Sequence, residues 1–427
     1  MRTRPGLLSM EEEAVAVLPI GAAAASAETV AIETTQAEAQ LVSLDAQIDQ
    51  AVDTAAALEE VQSGLRALTG KGGATEEELA LITVAVEGLT DLMGVSRPIR
   101  LSMEDFATPI GRIRATQRSM ESIGEKVKEV WKKIIEMVKR SIQWFKDFYA
   151  KIFDEVAKLK KRAEEVQRAA VAVKTTTPKQ ERLKAGKLFP ALYIGEAVPD
   201  VATALGQFTR VAQGVYTRQV VQLDAARMLT SELEKPGGGS LETYDLSPPT
   251  AGLEEVSRPQ DLGFNVPDGV GMWRSPELFG GKAVIAYTIP KGKVDVSLLD
   301  KAGGEVMAFN PKAKMPEAQK ELKTLTPDQC RVVAKEVVDL IAAIEKYKST
   351  TKNAEDAKKK LLTAVENFAK NPNNLGGEDN HYVQIARKLS TTIPRLLDQP
   401  SASFTRYAVS TARSLLYYVE DSIKQYD

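Results

Sequence analysis

Apolar side chains recur through the middle of the chain at Val127, Val130, Ile134, Val138, Ile142, Phe145, Tyr149, Ile152, Val156 and Leu159. Nine steps cover 32 residues, a mean of 3.56, which is the helical period and close to that of a coiled-coil seam. Trp131, Ile135, Trp144, Phe148 and Phe153 widen the stripe, and from about Arg112 to Val173 no proline and only Gly124 interrupts it. The pattern predicts one long amphipathic helix whose apolar face must be covered.

A second periodic run follows Thr326-Pro327-Asp328-Gln329, which reads as a helix start with a threonine cap, a proline in the first turn and a glutamine completing a capping box. Cys330, Val333, Val337, Leu340, Ile344 and Tyr347 then alternate in steps of 3 and 4, so the lone cysteine reads as core packing rather than as a nucleophile. Further helices are expected over 354–370, 380–398 and 403–426, and another over 186–235, punctuated by Pro190 and Pro199. The clear β signal is a small meander at about 282–310. It comprises Ala283 to Ile289, a Pro290-Lys291-Gly292 turn, Val294 to Leu299, and Glu305 to Phe309. It is too small to stand alone and must lie on helices. The expected fold is mainly α: a long basic amphipathic helix and further helices packed with this meander, preceded by an acidic, Ala-rich helical region.

That N-terminal region differs from the rest. From Ala14 to Glu60, 15 of 47 residues are alanine, and none of the chain's 25 aromatic residues precedes Phe106. Helix propensity is high there but the apolar face is small, which suits a loose hairpin or a partly disordered segment rather than an ordinary core. Glu11, Glu12 and Glu13 stand directly before the uncharged run from Ala14 to Ala27, where a secretory signal carries positive charge. That run has 14 residues, fewer than the roughly 20 that span a bilayer.

Charge sharpens the boundary. The formal net charge is −2, but residues 1–104 hold 6 basic against 17 acidic side chains, and the remainder 50 against 41. We therefore divide the chain into an acidic segment 1–104, a basic helix 105–185, and a helical region 186–427 that carries the meander. Between Arg112 and Lys187 lie 21 Lys/Arg and 10 Asp/Glu. Three readings of that helix compete. Its lysines can be a solvated face over a buried stripe, a sequence-independent phosphate-binding face, or the polar side of a membrane-surface helix, which is not favoured. The DNA-contacting candidates are Lys132, Lys133, Lys139, Arg140, Lys146, Lys158, Lys160, Lys161 and Arg162.

Chemistry is sparse. One Cys and one His leave no disulfide within the chain and no Cys/His zinc site, and His381 lies in a loop-like stretch. Each Gly-Lys pair lacks the upstream glycine of a phosphate loop, and no Gly-x-Ser-x-Gly or calcium loop occurs. No catalytic, cofactor or metal residue is expected; a hydrolase working through Asp/Glu carboxylates is the competing class.

Leu101-Ser-Met-Glu-Asp-Phe106, Ala115 to Ile123, the Lys/Trp/Phe-rich helix ending in Lys158-Leu-Lys-Lys-Arg-Ala-Glu164, the Thr-Pro-Asp-Gln-Cys helix start and the C-terminal Leu-Leu-Tyr-Tyr-Val-Glu-Asp-Ser run resemble internal virion proteins of giant (jumbo) tailed phages related to phiKZ. The resemblance covers most of 101–427. It implies a structural protein held inside the capsid with phage DNA and other head proteins, and sometimes ejected with the genome. It also implies an N-terminal propeptide that a prohead protease removes after Ser/Ala/Gly-x-Glu. Several tripeptides fit, among them Ser26-Ala27-Glu28 and Ser119-Met120-Glu121. Ser102-Met103-Glu104, with cutting before Asp105, is selected by the Pro98 break, by the first aromatic two residues on, and by the charge division at that point. Cutting there is expected to spare the residues that form the core.

Overall fold

The computed structural model describes residues 43–44, 47–48, 50–94, 106–186, 188–233, 252–288, 303–310, 312–370, 389, 392–398 and 400–426. Helix α1 spans 50–70, and a tight turn leads to α2 (Glu76–Leu92). Thr75 and Glu78 close a capping box there: the threonine hydroxyl accepts from Glu78 N at 3.2 Å, and the Glu78 carboxylate accepts from Thr75 N at 2.8 Å. The turn needs glycine. Gly73 has φ +88 and stands against the backbone of Arg112 and Ile113, so a Cβ would fall about 2.5 Å from it.

The long amphipathic pattern becomes α3 (Pro109–Ala172), 64 residues capped by Thr108, whose hydroxyl accepts from Gly111 N at 3.0 Å. At a rise of about 1.5 Å per residue it is roughly 96 Å long. Strand β1 (Arg182–Lys184), the single turn α4 (Phe189–Leu192) and α5 (Val201–Leu233) follow. Pro199, just before α5, separates it from α4. After β2 (Glu254–Glu255) come β3 (Gly271–Arg274), β4 (Lys282–Thr288), β5 (Gly303–Ala308) and β6 (Glu321–Lys323). Helices α6 (Pro327–Lys370), α7 over 392–398 and α8 (Ser401–Ile423) complete the chain.

Helix α6 is longer than its sequence suggested. The run from Cys330 and the helix expected over 354–370 are one helix. No proline or glycine divides them, and the 3–4 alternation continues in register through Thr351, Ala354, Lys358, Leu361, Val365 and Phe368, all buried. Ser349 and Thr351 donate back to carbonyls three residues earlier, so they sit inside the helix without breaking it. The capping box is formed: Thr326 N donates to Gln329 Oε1 at 2.9 Å, and Gln329 N to Thr326 Oγ1 at 3.2 Å.

Helices α3 and α6 run antiparallel, as the pairs Lys139–Glu366, Lys146–Glu355 and Lys160–Glu345 require. Helices α5 and α8 pack on the same core. The sheet is antiparallel in the order β2-β3-β4-β5, with Val284 opposite Val306 and Trp273 opposite Ala286; a separate ribbon pairs β1 with β6. The strand expected over Val294 to Leu299 lies outside the described residues. Strand β3 was not legible, because four residues beginning at a glycine become a strand only by pairing with β2 and β4. The sheet joins the helices through Phe279, whose ring lies 6.0 Å from that of Phe208, and through the hydroxyl of Tyr407, which donates to the Phe279 carbonyl. The protein is mainly helical with a small antiparallel sheet.

The acidic segment corrects one expectation. Described residues of that segment do contribute to the core, since Ile48, Ala51, Ala55, Leu58, Leu65, Leu79 and Val86 are buried in the same cluster as α3. Alanine lets α1 lie close to its neighbour, and leucine supplies the area that aromatic rings supply elsewhere. A cut after Glu104 would therefore separate core residues rather than spare them all.

Candidate functional site

The fold sorts the nine candidate DNA-contacting side chains of α3 into three groups. Lys139, Lys146 and Lys160 reach α6, pairing with Glu366 at 2.9 Å, Glu355 at 3.3 Å and Glu345 at 2.8 Å. Arg162 makes a two-armed contact with Glu420 of α8 and lies over the Tyr417 ring at 4.2 Å. Burial opposes its charge, but the hydrogen bonds it donates to Glu420 and Tyr417 outweigh that, and its pKa is raised. These four act as fasteners between helices. In the second group, Lys133 donates to the carbonyls of Met93 and Gly94, the latter at 3.1 Å, closing the end of α2 onto α3. Lys158 pairs along its own helix with Asp154 at 2.7 Å, and the hydrogen bond to that carboxylate raises its pKa. The third group is Lys132, Arg140 and Lys161, which are exposed and form no ion pair among the described residues.

These three lie on a solvent ridge that also carries Glu136, Asp147, Asp154 and Glu165. The ridge thus carries both signs, and four of the candidate cations go into interhelical pairs. The apolar stripe that a membrane-surface helix would present is inside the protein: Val130, Trp131, Ile134, Phe145 and Val156 are at most 2% exposed. Trp131 stands 5.4 Å from Phe368 and donates to Glu59 of α1 at 3.4 Å, so it is core rather than a stacking platform. Trp144, half-buried, stacks on Phe148 of its own helix at 4.9 Å.

A polar cluster that sequence reading missed lies beneath this surface. Lys358 of α6 and Asp398 at the end of α7 form an ion pair at 2.7 Å, with side chains 2% and 0% exposed. Lys358 also donates to Ser141 of α3 at 3.3 Å, and its ammonium lies 4.7 Å from the Phe145 ring centre. Burial raises the pKa of Asp398 against the opposing pull of Lys358. Nearby, the hydroxyls of Tyr149 and Tyr347 are 3.5 Å apart, and burial pushes the Tyr347 phenol up to about 12. The signal in the sequence was the register itself: Lys358 occupies a seam position of the α6 repeat. Asp398 had no such signal.

Ser102, Met103, Glu104 and Asp105, the expected cleavage site, lie outside the described residues, between Gly94 at the end of α2 and Phe106 before α3. His381 lies outside them as well. Among the described residues no group of three or more His, Cys, Asp or Glu could hold a metal ion, and no helix is long and apolar enough to cross a membrane.

Long helices fastened edge to edge by ion pairs define a mainly helical protein. A family model described as phiKZ-like phage internal head proteins matches residues 36–421, and the chain belongs to that family. This places it inside the capsid of the virion. No curated protein and no solved structure matches the chain.

Proposed function

We propose that the protein is a non-enzymatic packing component of the phage head that lies among the packaged DNA, touches its phosphates without regard to sequence, and is processed by the prohead protease after Glu104. The observation that carries the DNA reading is the third group of cations: Lys132, Arg140 and Lys161 are exposed on one ridge of α3 with no ion-pair partner among the described residues. Phosphates release counterions when such side chains approach. The docked end of α2 supports a role for processing, because releasing it would free Lys133 from the Met93 and Gly94 carbonyls.

The test is a salt titration of duplex binding. Each phosphate neutralised contributes about 0.9 to the slope of log affinity against log salt, so the combined Lys132→Glu, Arg140→Glu and Lys161→Glu variant should lose about 3 from that slope. Charge reversal of Lys160 and Arg162 should instead lower the melting temperature, because those side chains hold α6 and α8. A triple variant that binds duplex as the parent does, with the parent's salt dependence, would refute the ridge as the contact.

A further inference from the structure

A groove of about 450 Å³ opens between α3 and α6, on the scale of a small-ligand site. Its floor is an aromatic ladder one helical turn apart, Phe145, Tyr149 and Phe153, with ring centres 4.7 and 5.8 Å apart along the series. Phe145 and Tyr149 are buried, while Phe153 is half-buried, packing on the core with one side and lining the groove with the other. The facing wall of α6 carries Lys348 and Lys352, also one turn apart and both exposed. Lys348 Nζ stands 5.5 Å from the Phe153 ring centre. The rim has one carboxylate, Glu355, and it is already shared by Lys146 at 3.3 Å and Lys359 at 2.7 Å; the hydrogen bond from Lys359 holds its pKa down. Lys348 and Lys352 form no ion pair among the described residues. A half-buried ring edged by two exposed cations that form no ion pair among the described residues is complementary to a flat apolar group that bears an anion.

The geometry points to a binding groove for single-stranded nucleic acid, one base stacking on Phe153 and its flanking phosphates on Lys348 and Lys352. A base in a duplex is stacked on its neighbours and cannot reach the ring, whereas an unpaired base can. An apolar helix from a partner protein suits the groove less, since a single half-buried ring between lysines offers it little area. This site is separate from the Lys132, Arg140 and Lys161 ridge and does not rest on the duplex reading.

The test measures full-length protein binding to a fluorescent 12-nucleotide oligo(dT), to a 12-base-pair duplex, and to dodecyl phosphate as an anion with a flexible apolar tail. Oligo(dT) affinity should fall about fivefold or more in Phe153→Ala, the low end for one stacked base. It should fall at least as far in the Lys348→Glu, Lys352→Glu double variant and be retained in Phe153→Trp. Both lysines are exposed, so the double variant keeps the fold if Phe153→Ala does not. Oligo(dT) binding that is absent, or unchanged in the lysine variant, overturns the assignment. So does groove-dependent capture of dodecyl phosphate without oligo(dT). Groove-dependent oligo(dT) binding without duplex binding would leave the groove standing and remove the ridge; duplex binding through the ridge alone would do the reverse.

Discussion

Lys358 is charged at a position where its helix otherwise places uncharged side chains, and the fold compensates with Asp398, Ser141 and the Phe145 ring. Removing one member of a buried pair strands the other charge away from water. Lys358→Ala should therefore cost about 3–5 kcal/mol, read from urea denaturation. Replacing both partners, Lys358→Met with Asp398→Leu, should be near neutral or stabilising, because neither ion then needs desolvating. A loss below about 1 kcal/mol in Lys358→Ala would mean that the pair is hydrated. The position of Lys358 was readable from the 3–4 repeat. Its partner was not, because Asp398 comes from an element 40 residues away that meets α6 only through tertiary packing.

Helix α3 shows the same division at the scale of an element. Its periodic face and its ends were legible, and the structure buries Ile123, Val127, Val130, Ile134, Val138 and Phe145 as the period requires. What covers that face was not legible: α6 and α8 cover much of it, and α1 approaches from the acidic segment. Gly124 marks that approach, since a Cβ there would fall about 2.9 Å from Gln62 Nε2, which donates to the Met120 carbonyl at 3.1 Å. Ile134→Asp should cost on the order of 3 kcal/mol or more, because an unpaired carboxylate enters the core. Thermal melts of that variant superimposing on the parent would show the stripe to be open to solvent.

Across the whole molecule, the hairpin of α1 and α2 is held to α3 by more than the backbone. Ala74 N donates to Thr116 Oγ1 at 2.8 Å, Gln62 to Met120 O and Trp131 to Glu59, and Leu58 and Leu65 are fully buried. The family match begins at residue 36 and so takes in this hairpin. Cutting purified protein between Glu104 and Asp105, through an engineered protease site, should leave the two fragments co-eluting on gel filtration without denaturant. They should separate at a lower urea concentration than unfolds the uncut chain, since the hairpin is then no longer tethered. Immediate separation in buffer would show that the interface adds little. Co-elution of the fragments would mean that cleavage alone leaves α3 covered and Lys133 bound to the Met93 and Gly94 carbonyls.

Helical character, the course of α3, the capping of α6 and the family can all be read from the chain, because period, caps and local residue runs are written in consecutive positions. Tertiary structure decided how the charges are used. A lysine on the flank of a helix reads the same whether it faces water or a glutamate brought in from 185 residues away, as Lys160 and Glu345 show. Structure likewise turned an alanine-rich segment without aromatic residues into part of the core, since burial depends on what lies opposite a small side chain and not on the side chain alone. The aromatic ladder of α3 and the lysine pair of α6 were each visible in the chain. Only the antiparallel register of the two helices sets them on opposite walls of one groove.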